Sequence, residues 1–184
     1  MAINAGSVPL NLVCHSETPS LSVQGVEVVV LVSAGGALTA RYLLTGDLSA
    51  LRIPEVRSPR RADGLWRHTC FEAFMMAGEG PEYREFNFSP SGEWAAYDFQ
   101  RYRKAGEPVV GMEPAVRVRC SADRLELVAE FHADFPPGCR SLRLGLSAVV
   151  EQADGGLSYW ALPHPPGRPD FHHHDAIALQ VDLT

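Results

Sequence analysis

Ten of the chain's sixteen phenylalanine, tyrosine and tryptophan rings fall between Leu65 and Arg103, in the run LWRHTCFEAFMMAGEGPEYREFNFSPSGEWAAYDFQRYR. Polar side chains are threaded between the rings with a period of two, and the turns AGEGPE and SPSGE cut the run into three pieces. A strand sends successive side chains to opposite sides, so the pattern requires three strands with two unlike faces. Phe71, Ala73, Met75, Phe86 and Phe88 read as a core face. Trp66, His68, Cys70, Glu72 and Phe74 share the opposite face with Tyr83, Glu85, Asn87 and Ser89. If the first hairpin closes symmetrically, Glu72 lies near Asn87. A one-residue slip at Ser89-Pro90-Ser91-Gly92 would exchange Trp94 for Tyr97 on that face, and both stay open at this level.

The rest of the chain repeats the short alternating pattern. Leu10 to His15 reads as an edge strand, and Val26 to Ser33 pairs with Leu38 to Thr45 around Ala34-Gly35-Gly36. Ala115–Ser121, Arg124–His132, Leu142–Glu151, Leu157–Leu162 and Ile177–Leu183 complete the set. Gly46–Ile53 has weak local character, Pro54–Gly64 is a loop, and Gln100–Pro114 is a connection. Proline keeps Pro163–Asp175 out of any sheet. Roughly ten or eleven strands with almost no helical periodicity must bury their apolar faces against one another. The expectation is an all-β, antiparallel β-sandwich, immunoglobulin-like or jelly-roll-like, spanning 1–184 as a single domain. A barrel is the second option.

A formal charge of −6 supplies no basic field for nucleic acid or an anionic membrane surface. No apolar run reaches the roughly 20 residues of a membrane-spanning helix. The first 17 residues carry no lysine or arginine, so no secretory signal is read and a cytoplasmic location is expected. Cys14, Cys70, Cys120 and Cys139 form no CxxC pair and read as reduced structural thiols.

The polar face of the central unit combines Trp66, Glu72 and Asn87 with either Trp94 or Tyr97. Rings offer flat apolar platforms while carboxylate and amide groups direct hydrogen bonds, the pairing that a sugar requires. Glu72 and Glu85 also invite comparison with a glycosidase pair, whose carboxyls stand about 5–5.5 Å or 6.5–9.5 Å apart. Binding is the reading preferred over catalysis. His172, His173 and His174 beside Asp170 and Asp175 suggest a metal, but consecutive loop histidines are not expected to converge, so no metal is assigned. Met75, Met76 and Met112 with the histidines keep a haem b or other redox-cofactor domain with Met/His ligands as the alternative. A protein interaction module is the third reading; oligomeric state is not legible.

At LWRHTCFEAF, YREFNFSPSGEWAAYDFQRYR and YWALPHPPGRPDFHHHD the chain resembles bacterial DOMON-like proteins, which are similar to family 9 carbohydrate-binding modules. The resemblance implies a sandwich with a ligand site on one sheet, used in that superfamily for sugars or for haem b. It implies ligand-binding roles for Trp66, Glu72 and Asn87, with Trp160 as a second platform and His164 beside it in the same motif. Arg61, Arg101 and Arg103 compete for the place of a ligand arginine. The function expected is non-catalytic binding of a small saccharide, with no resident cofactor.

Overall fold

The computed structural model describes residues 2–3, 8–33, 36–78, 80–132 and 138–183. Its strands are β1 (Ala2–Ile3), β2 (Leu10–Cys14), β3 (Val23–Val32), β4 (Ala37–Gly46), β5 (Cys70–Ala77), β6 (Tyr83–Phe88) and β7 (Trp94–Arg101). They continue with β8 (Lys104–Pro108), β9 (Ala115–Cys120), β10 (Arg124–His132), β11 (Ser141–Glu151), β12 (Leu157–Ala161) and β13 (Leu179–Asp182). The architecture is all-β, and only three short 3-10 turns interrupt it among the described residues. No described helix is long and apolar enough to cross a membrane.

The strands form two packed layers. One runs β8-β7-β6-β5-β11-β12, with β13 on the other half of β11 and β1 beside β13. The other runs β3-β4-β10-β9. The expected edge strand β2 is instead the seam: Leu10–Leu12 pair with β3, while Val13 and Cys14 pair with β12. Segment β8 is the other correction, since the sequence suggested only a connection there. Its run KAGEP lacks β-branched residues and joins the sheet because the turn at Tyr102-Arg103 folds it back onto β7.

Alternation fills the space between the layers. Val26, Val28, Tyr42, Leu44, Leu125 and Leu127 face Phe71, Phe86, Phe88, Leu144 and Leu146 in one continuous core. Tyr42 meets Phe71 at 5.0 Å between ring centroids and Phe86 meets Phe131 at 4.4 Å. Each large apolar side chain buried there stabilises the fold by about 1.5–3 kcal/mol before chain entropy is counted. The four cysteines are free, and Cys70 is fully buried. The turn residues Ala34 and Gly35 and part of the FPPGC loop lie outside the described residues.

Candidate functional site

Strand register builds the floor of a cavity on the outer face of the first layer. Phe74 stands opposite Glu85, and Glu85 opposite Tyr97, so these three form one row across β5, β6 and β7. The next row runs Asn87, Glu72, Ser147 and Ala161 across β6, β5, β11 and β12. Phe99 is paired with Tyr83, and Tyr159 with Val149. The choice between Trp94 and Tyr97 is made by the SPSG turn. The Ser89 N–H donates to the Glu93 carbonyl at 2.9 Å, and Gly92 takes φ 87°, a left-handed value that favours glycine. Five residues separate Trp94 from Phe88 in this closure, and the two stand directly paired, so Trp94 points with Phe88 into the core.

Residues 163–178 cross this face as a strap. Phe171 and Ile177 pack with Phe74, Met76, Tyr83, Val149 and Ala161 in a second apolar cluster. The strap lies close over Gly145, where an added Cβ would stand 2.9 Å from the Ala176 carbonyl oxygen. Between strap and sheet remains a cavity of about 560 Å³, within the usual range for small-ligand sites. β7 contributes Tyr97 and Phe99 to its walls, β12 Tyr159, the strap Phe171 and the segment ahead of β5 Trp66. Glu72 and Glu85 lie on the floor, and Arg103, Arg168 and His172 contribute charge or hydrogen-bonding capacity.

Both floor carboxyls are desolvated. Glu72 is 3% exposed, and its side chain's hydrogen bond among the described residues comes from Ser147 Oγ at 3.3 Å. Burial, then the neighbouring Glu85, pushes its pKa well above the ordinary carboxylate range. Burial also raises Glu85, against the opposing pull of the Asn87 amide, which donates to Oε1 at 2.6 Å, and of Arg103. His172 is held near pKa about 4 by burial and by Arg103. Its ring is neutral at pH 7. The Tyr83 hydroxyl accepts from the Arg103 N–H at 3.0 Å and lies 2.9 Å from His172 Nδ1. A donated Tyr83 proton then leaves the His172 hydrogen on Nε2, 3.7 Å from Glu85 Oε2.

The rim is held by separate networks. Trp66 belongs to a 3-10 turn, Leu65–Arg67, rather than to the strand, so its place beside Glu72 does not come from strand parity. Glu151 fixes the end of that turn, accepting from Arg52 Nη1 at 2.9 Å and lying 2.7 Å from His68 Nδ1. Burial raises the Glu151 carboxyl, but His68 and Arg52 more than reverse this and hold it low. Trp66 itself is 48% exposed. Burial and the bond to Asp63 at 2.9 Å push the Tyr97 hydroxyl up to about 12. Arg103 occupies left-handed backbone (φ 51°) and ties its guanidinium to Asp170 at 2.8 Å.

Of the residues expected at a site, Trp66, Glu72, Tyr97 and Arg103 line the cavity. Asn87 is fully buried behind the floor and orients Glu85. Arg61 lies outside, its guanidinium 5.5 Å from the Tyr97 ring centroid and paired with Asp63. Arg101 is exposed opposite Lys104 and does not line the cavity. Trp160 is a core residue like Trp94, with its indole N–H donating to Ser158 at 3.0 Å. His164 sits aside, 2.8 Å from the Val13 carbonyl oxygen. Phe99, Tyr159, Phe171, His172 and Arg168 were not singled out from sequence as lining residues; the parity of Phe99 and Tyr159 carried a signal, and the strap residues carried none.

The other chemistries considered also find their places. Met75 is packed between the layers, and Met76 sulfur is contacted by Arg143. Met76 does share a second cavity of about 440 Å³ with His172, His173 and His174. His173, His174 and Asp175 bring ligand atoms within 4.8 Å of one another at the surface, closer than consecutive loop histidines were expected to come.

A scan against protein-family models finds no match, and a search of curated proteins finds none either. Solved structures do share the fold. A Bacteroides uniformis protein put forward as carbohydrate-binding superposes with a TM-score of 0.68 at 14% identity, covering 95% of this chain and 84% of that one. A family 9 carbohydrate-binding module from Caldicellulosiruptor kristjanssonii in complex with glucose gives 0.59 at 9% identity, covering 100% and 95%. Its complex with cellotriose gives 0.59 at 6% identity, covering 99% and 92%. The chain therefore has the β-sandwich fold that these carbohydrate-binding proteins have.

Proposed function

We propose that this domain binds a small saccharide, without hydrolysing it, in the cavity between the β5–β6–β7 sheet face and the strap. The observation that carries the reading is the pairing of aromatic walls with a floor of buried carboxyls. Trp66, Tyr97 and Tyr159 offer stacking faces, while Glu72, Glu85 and His172 offer directed hydrogen bonds. The saccharide complexes of structures with the same fold add support. Binding is preferred to hydrolysis because burial raises both carboxyls, whereas a hydrolytic pair needs environments that push its two values apart.

Isothermal titration with glucose, cellotriose and a monosaccharide panel tests this, alongside tryptophan fluorescence. Saturable binding that Trp66→Ala abolishes is the expected result. Absence of heat with every sugar, or binding indifferent to Trp66→Ala and Glu72→Gln, overturns it.

A further inference from the structure

The floor of the cavity has more acceptors than its own groups satisfy. Glu72 carries two oxygens, and Ser147 supplies one long bond to Oε2. Asn87 reaches Glu85 Oε1, while Oε2 has His172 Nε2 at 3.7 Å, beyond hydrogen-bond length. The cations nearby do not close this gap. Arg103 is committed to Asp170, which also accepts from Tyr102 at 2.7 Å, and Arg168 is exposed at the rim. The rings of Trp66, Tyr97, Phe99, Tyr159 and Phe171 surround these acids, and ring faces attract a cation as carboxylates do.

Resting on the saccharide reading, we infer that the ligand is an amino sugar, whose protonated amine sits between Glu72 and Glu85 while its ring lies against the aromatic walls. A neutral hexose brings no positive charge to these two desolvated acids. An ammonium with three donors satisfies both and offsets the repulsion between them. Glu72 is raised by burial and by Glu85, so an ammonium beside it favours release of its proton.

Calorimetric titration at pH 7 with glucosamine, glucose, N-acetylglucosamine and cyclohexylamine decides the matter. Glucosamine is expected to bind at least about tenfold tighter than glucose or N-acetylglucosamine, whose amide carries no charge. Glu72→Gln, which is nearly isosteric, should remove that preference by weakening glucosamine at least about tenfold more than it weakens glucose; Glu85→Gln, measured with the melting temperature of each variant, guards against a folding artefact. Equal affinity for glucose and glucosamine, or a preference unchanged in both variants, overturns the amine site while leaving the saccharide reading intact. Binding of cyclohexylamine with no sugar binding overturns the saccharide reading and, with it, the amino-sugar assignment. Silence from all four compounds overturns both.

Discussion

Asn87 stands directly across from Glu72 in the β5–β6 register, yet its amide turns along its own strand and donates to Glu85 at 2.6 Å. The amide is thus a positioning group for one acid while the other is left to the cavity. Asn87→Ala removes it without touching a ligand. The expected outcome is a loss of about 1–3 kcal/mol of stability, with weakened sugar affinity, from chemical denaturation and calorimetry. Unchanged affinity in a stable variant would show that Glu85 needs no such support.

Ionising Glu72 costs the fold stability. A carboxyl whose folded pKa is raised contributes stability below its unfolded value and loses it as pH rises through the folded value. Glu72→Gln cannot ionise, so it is expected to gain about 1 kcal/mol over the wild type at pH 8 and little at pH 4. Urea midpoints at the two pH values check the sign.

His172 acts in the opposite direction. Its folded pKa of about 4 lies below the usual 6.5, so its contribution is full above pH 6.5 and drains away as pH falls toward 4. That interval is worth about 3 kcal/mol. His172→Gln should flatten the acid limb of the stability curve between those two values. An acid limb of wild-type steepness would place the sensitivity in other groups.

Gly145 lets the strap touch the sheet. Gly145→Ala sets a methyl 2.9 Å from the Ala176 carbonyl, which must move away. A loss of about 1–3 kcal/mol is expected, together with faster amide exchange at 171–177.

Trp66 and Trp94 should separate binding from folding. Trp94→Ala opens the core and is expected to cost about 3–5 kcal/mol, whereas Trp66→Ala is expected to leave the melting temperature within a few degrees and abolish the sugar response. Thermal melts beside titrations measure both.

The sandwich was legible because its evidence is local: alternation in Val26–Val32, Phe71–Met75 and Arg124–His132 depends only on neighbours along each strand. The floor of the cavity was legible for the same reason, and Glu72 does pair with Asn87. Trp94 could not be assigned, because the carbonyl that closes SPSG decides its parity and no side chain announces that bond. The walls contributed by Phe171 and His172 were illegible for a different cause. They lie in an aperiodic, proline-rich segment whose position is fixed only by burial against Phe74 and the close approach at Gly145. Trp66 reached the cavity by a 3-10 turn, so its expected neighbourhood arose without the expected strand.

The seam strand β2 has a kinetic meaning. Its first half pairs with β3, a few residues ahead, and its end, at Cys14, pairs with Trp160, near the far end of the chain. The hairpin of β3 and β4 can form as soon as it is made, but the layers cannot be stitched along this edge until β12 exists. Loop closure of that length makes the last stitch slow, so a nascent chain spends its synthesis with an unpaired half-strand. The residues that join the two sheets are then also those at which an unfinished molecule is most open to pairing with another.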